Sequence, residues 1–144
     1  MLNAVKSGKF FTSAGDAVGY YNSRDDFAEV AAHILAADDL TPYKNQRVHI
    51  SGAEPLTQAA MVQTVRDVAG IPLELVQVSD EQLIAGMTSA GLPERLAQIF
   101  ATFDTGTRAG VFGGKHDEII QRLTGHAPTT WRQFVEARKE MLKQ

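Results

Sequence analysis

Apolar and polar positions change period several times along the chain, and each change marks an element. From Ser23 to Leu35 the period is helical: Phe27, Val30, Ala31, Ile34 and Leu35 form one stripe. Ser23 leads that stripe as N-cap. Behind it come Arg24, Asp25 and Asp26, an acidic variant of the capping box with two carboxylates where the helix dipole favours them. A second stripe of Ala60, Met61, Thr64, Val65 and Val68 lies between Thr57, a good N-cap, and Gly70, a good stop. Ser79 caps a third helix, with Asp80 and Glu81 in the first turn and Gln82 at the box position. Gly91-Leu92-Pro93 separates it from a helix running from Glu94 to about Thr105. His116 to Leu123 reads as a short helix. Pro128-Thr129-Thr130 opens the last one, with Gln133 completing a box on Thr130. Leu123, Trp131, Phe134, Val135 and Leu142 are its expected inner face. Met1 to Ser7 reads as one or two helical turns ended by Gly8.

Period-two stretches fill the gaps. Phe10 to Ser13 and Val18 to Asn22 are short extended runs around the turn-forming Ala14-Gly15-Asp16. Arg47 to Ser51 and Leu73 to Val78 alternate as strands, the latter with Leu73 and Leu75 on one face. Gly52 to Pro55 reads as a turn, Asp38 to Tyr43 as a loop broken by Pro42, and Gly110 to Gly114 as a loop. Strand and helix in alternation, followed by a helical tail, predict one α/β domain over residues 1–144. Its strands number about three or four, so the sheet edges need cover.

Composition narrows the class. The chain has 144 residues, enough for one real core, and 44% apolar against 22% charged residues is globular rather than disordered. A net charge of −3 carries no electrostatic footprint for nucleic acid. No apolar run is long enough to span a membrane, and the first residues lack the long apolar core of a signal peptide. There are no cysteines. Disulfides, thiolate nucleophiles and cysteine-ligated metals are therefore excluded, and a cytoplasmic setting is expected.

The polar residues assemble no familiar catalytic pattern. His33, His49, His116 and His126 are not spaced as metal ligands and read as structural or surface residues. No serine sits in G-x-S-x-G. Gly110 to Lys115 is loosely phosphate-loop-like, but no strand precedes it and His116 stands where Ser or Thr should follow. Arg24, Asp25 and Asp26 fit either ligand contact or helix capping. The aromatic pairs Phe10-Phe11 and Tyr20-Tyr21, and Phe100, Phe103 and Asp104, fit either a pocket wall or core packing.

Ordered blocks nevertheless resemble a known family. They are Gly8-Lys9-Phe10 with Ala14-Gly15-Asp16, then Tyr21 to Ala28 (YNSRDDFA), Val48 to Thr57 (VHISGAEPLT), and Leu123 to Pro128 (LTGHAP). With the closing stretch from Phe103 to Leu142, they are similar in order and spacing to the second half of NmrA-like proteins, a branch of the atypical short-chain dehydrogenase/reductases. His126 stands where arginine is commoner in that family. The resemblance implies the C-terminal part of a Rossmann-like fold, equivalent to a substrate-binding half, with the N-terminal dinucleotide-binding half absent.

Further implications follow from the resemblance. A full-length relative would bind NAD(P) on a glycine-rich loop at a helix N-terminus; no G-x-G-x-x-G occurs here, so no cofactor is expected for this chain alone. Tyr-x-x-x-Lys is also missing, since Arg24 follows Tyr20 and Asp25 follows Tyr21 at that spacing. Phe10, Phe11, Tyr20, Tyr21, Arg24, Phe100 and Phe103 are the substrate-binding residues that the resemblance implies. The implied activity is NAD(P)H-dependent reduction of a quinone or small carbonyl compound, with the chain inactive alone. The competing reading is a non-enzymatic NmrA-like regulatory or protein-interaction module. Either reading expects a homo-oligomer or a missing N-terminal half as partner.

Overall fold

The computed structural model describes residues 2–113 and 118–143. The elements run α1 (Leu2–Ser7), β1 (Lys9–Thr12), β2 (Val18–Tyr20), α2 (Arg24–Leu35), a 3-10 turn (Thr41–Tyr43), β3 (Pro55–Thr57), α3 (Gln58–Ala69), β4 (Glu74–Gln77), α4 (Asp80–Ser89), α5 (Glu94–Arg108), α6 (Ile119–Thr124) and α7 (Trp131–Leu142). The cap residues read from sequence act as expected. Ser23, Thr57, Ser79 and Thr130 each accept a hydrogen bond from a first-turn N–H, and Ser79–Gln82 and Thr130–Gln133 are complete capping boxes. Gly70 ends α3 in the left-handed conformation at φ 67°.

The strands do not form one sheet. β1 and β4 pair in parallel, Lys9 opposite Glu74 and Thr12 opposite Gln77. β2 and β3 pair antiparallel, Val18 opposite Thr57. One core lies between the parallel pair and the α3–α7 helix pair. Val62, Val65, Ala69, Leu73, Val135 and Leu142 are buried there, and Phe10, Leu75 and Trp131 pack on them. Each fully buried Val or Leu contributes about 1.5–3 kcal/mol. A second cluster joins α2 to α6 through Val30, Ile119 and Ile120, flanked by Val48 and Ile50.

Several expectations need correction. Arg47 to Ser51 is not a strand. Its alternation is real, because Val48 and Ile50 turn to the second cluster, but no neighbouring strand supplies a ladder among the described residues. β3 forms instead three residues earlier than the helix it leads into, at Pro55–Thr57, part of which had read as a turn. The expected run Val18 to Asn22 ends its ladder at Tyr20, and α5 continues to Arg108, past Thr105. The α2 stripe is narrower than its sequence: Val30 is buried, whereas Phe27 and Leu35 are exposed. On α3 the buried face is Met61, Val62, Val65 and Ala69, so Ala60 lies outside it. Met1, Gly114 and His116, which fell in expected elements, lie outside the described residues. No helix among the described residues is long and apolar enough to cross a membrane.

Candidate functional site

Helix α5 is fastened to the carboxyl end of β1 by its polar face. Asp104 Oδ2 accepts hydrogen bonds from Thr12 Oγ1 at 2.8 Å and from the Ser13 N–H at 2.7 Å. Thr12 and Ser13 are buried, so these bonds replace water the groups would otherwise need. One turn on, Arg108 donates to the Ser13 carbonyl and forms a forked pair with Asp80 at the start of α4, at 2.9 and 2.6 Å. The Arg108 guanidinium, and secondarily the Ser13 hydroxyl, hold the Asp80 carboxyl at about 2 against an ordinary 3.8. Asp80 in turn raises Arg108. The acid–base pair is therefore a fixed strut joining α4, α5 and the β1 exit.

With its polar side spent on this strut, α5 turns aromatic residues outward. Ala97 and Ala101 are buried, while Phe100 and Phe103 are 50% and 54% exposed. Their ring centroids lie 6.2 Å apart, and Phe112 continues the row 6.3 Å from Phe103. Phe112 is held from three directions. Its carbonyl accepts from the Tyr20 N–H at 2.9 Å, and the preceding Val111 N–H bonds to Gly106 O at 2.9 Å. Its ring lies over Gly106, where an added Cβ would come within 2.7 Å of it. Leu96 and Ile99 extend the apolar surface along α5. A contiguous apolar face on a monomer marks a contact surface. The helix that carries it is fastened at the carboxyl end of a parallel strand pair, the end at which open α/β sheets carry ligands.

A separate cleft of about 190 Å³ opens between the start of α2 and the start of α7. Tyr21, Arg24, Trp131, Phe134 and Arg138 are among its walls. The residues implied as substrate-binding thus fall into different places. Phe100 and Phe103 share the α5 face, and Tyr20 borders it through Phe112. Tyr21 and Arg24 share the cleft, whose lining includes neither Phe100 nor Phe103. Phe10 packs on the main core, and Phe11 is half exposed on the opposite side of β1. Asp26 is buried and bound to Thr129, while Asp25 pairs with Arg138 at 3.1 Å. Phe112, Trp131, Phe134 and Arg138 were not singled out from sequence as site residues. The signals existed: an aromatic inside a glycine-rich loop, and Trp131, Phe134 and Arg138 at helical spacing. Among the described residues no His, Asp and Glu cluster could hold a metal ion.

No protein-family model matches the chain. An NAD(P)H azoreductase from Xenophilus azovorans is 26% identical over 136 residues, covering 92% of this chain and 45% of the relative. The crystal structure of an NADPH-dependent quinone oxidoreductase from Escherichia coli superposes with a TM-score of 0.83 at 24% identity, covering 94% of this chain and 48% of that one. Citrobacter sp. triphenylmethane reductase, solved with NADP(H), matches with a TM-score of 0.80 at 24% identity over 94% of this chain and 46% of that one. The resemblance to the NmrA-like family holds. The chain spans about half the length of the curated relatives it matches. Its α/β architecture, few strands with a helical tail, is that of part of a Rossmann-like fold.

Proposed function

We propose that this NmrA-like chain is the substrate-binding half of an NAD(P)-dependent oxidoreductase acting on a quinone or similar small carbonyl compound, and that it is inactive alone. The observation that carries the reading is the aromatic row Phe100–Phe103–Phe112, on and beside the helix that Asp104 fastens to the β1 exit. Flat, uncharged rings are recognised by offset aromatic contact and burial of apolar area, and such a row supplies both. Related reductases described as acting on quinones and using NADPH support the same direction.

The reading assigns no dinucleotide to this chain. A pyrophosphate needs a glycine-lined turn leading into a helix N-terminus. Here β3 runs straight into α3, and the turn after β4 leads to Asp80 and Glu81, whose charges repel a phosphate. Neither turn offers such a cradle. The apolar α5 face and free strand edges are then expected to be covered by a second copy or by a dinucleotide-binding half.

The test pairs binding with turnover. Calorimetric titration with duroquinone, a fully methylated benzoquinone that does not alkylate protein, should give a binding isotherm. Phe103→Ala should weaken it severalfold, and NADPH should not be oxidised in the mixture. Absence of duroquinone binding, or steady NADPH oxidation by the chain freed of contaminating reductases, would contradict the proposal.

A further inference from the structure

The cleft between α2 and α7 has no part in that reading. Its walls are held in place by contacts among the lining residues and with the residues around them. Asp26, buried beneath, accepts from the N–H and the hydroxyl of Thr129, both at 2.8 Å, and so fixes the spacing of the two helix starts. Tyr21 is wedged between glycines. A Cβ at Gly19 would lie 2.9 Å from its ring, one at Gly52 would collide with its backbone, and its hydroxyl accepts from Gln58 Nε2 at 3.0 Å. Trp131 donates from Nε1 to Met61 O at 3.0 Å and stacks on Phe134 with centroids 5.4 Å apart. Arg138 lies 4.0 Å over the Phe134 ring and pairs with Asp25.

What remains is an aromatic-walled space with one uncommitted charge. Asp25 is neutralised by Arg138, Asp26 is spent on Thr129, and Glu54 accepts from the Trp131 N–H at 3.3 Å. The Arg24 side chain lines the cleft and makes no hydrogen bond or ion pair among the described residues. Size agrees with chemistry. A dry cavity of about 150 Å³ holds benzene, and this cleft of about 190 Å³ leaves room for a ring and a small polar group.

We propose that the cleft binds a single-ring aromatic carboxylate, with the ring against the Tyr21–Trp131–Phe134 wall and the carboxylate forked onto Arg24. A guanidinium matches a carboxylate with two parallel N–H donors, which a neutral amide cannot reproduce. The site is distinct from the α5 face, and the proposal stands or falls apart from the quinone reading.

Trp131 is the sole tryptophan, so its fluorescence reports the cleft directly. Benzoate should change that signal saturably in the millimolar range. Benzamide, the same ring without the charge, should bind roughly tenfold more weakly, the scale of one charge-assisted contact. Arg24→Gln should lose a similar factor for benzoate while leaving the unfolding midpoint unchanged, since Arg24 is exposed. Arg24→Lys should fall between the two. No saturable change with benzoate, equal affinity for benzamide, or undiminished affinity in Arg24→Gln would each overturn the proposal.

Discussion

Asp26 and Thr129 lie 103 positions apart in sequence, yet the carboxylate of one accepts two hydrogen bonds of 2.8 Å from the other. Asp26 is 3% exposed. It looked from sequence like a first-turn acid serving its own helix. Its larger role is to close the loop between α6 and α7 onto the start of α2. Hydrogen bonds to charged groups are worth about 1.5–3 kcal/mol each. Asp26→Ala is therefore expected to cost about 2–4 kcal/mol by urea unfolding. A double-mutant cycle with Thr129→Val should show strong coupling. Additive effects would mean that the two residues act independently.

His126 has an acceptor at each ring nitrogen. Nδ1 lies 2.9 Å from the Ala127 carbonyl and Nε2 lies 2.9 Å from Glu29 Oε2. Neutral imidazole carries only one N–H, so only the charged ring donates to both. The Ala127 carbonyl first and the Glu29 carboxylate second raise its pKa above 6.5. Glu29 also faces His33 at 3.9 Å, and Asp26 adds its charge from the same helix. A raised folded value means that the contribution is fully present below the unfolded value and is lost as pH rises through the folded one. Titration of the His126 ring proton by NMR should give a midpoint above 6.5. His126→Arg should keep its stability through that window, whereas the parent loses some.

The Asp80–Arg108 strut carries the opposite sign. With Asp80 held at about 2, its contribution is present above 3.8 and disappears as pH falls toward 2. Stability measured across that range should fall less steeply in Arg108→Gln than in the parent. Equal slopes would show that the pair is not coupled to folding.

Two glycines should respond in opposite directions to the same substitution. Gly86 lies inside α4 with nothing within 4 Å of an added Cβ. Gly86→Ala should stabilise by about 0.5–1 kcal/mol through helix propensity alone. Gly52 is buried against the Tyr21 backbone, so Gly52→Ala must displace that segment. A cost of about 1–3 kcal/mol is expected, with a change in Trp131 fluorescence as the cleft wall moves. Thermal unfolding of both variants checks the pair.

Local features were readable from sequence because they depend on neighbours a few residues away. Ser79 with Gln82, Thr130 with Gln133, and the left-handed Gly70 all behave as their spacing implies. Long-range placement was not. Arg47 to Ser51 has the alternation of a strand, but a ladder needs a partner that periodicity does not name. Phe27 and Leu35 keep helical spacing yet face outward, because α6 covers only the part of α2 around Val30. The residues that the resemblance implies for one site lie in separate places. The chain separates Tyr21 and Arg24 from Phe100 and Phe103 because α5 is drawn to β1 by Asp104, while the start of α2 is drawn to α7 by Asp26.

On this proposal the α5 face receives a flat, uncharged ring. The most direct measurement is a titration of isotopically labelled protein with duroquinone, followed by backbone amide and phenylalanine ring shifts. Concerted, saturable shifts are expected at Phe100, Phe103, Phe112 and Tyr20, with Trp131 and Arg24 unmoved. Shifts confined to Trp131 and Arg24, or no saturable shift at the three phenylalanines, would contradict it.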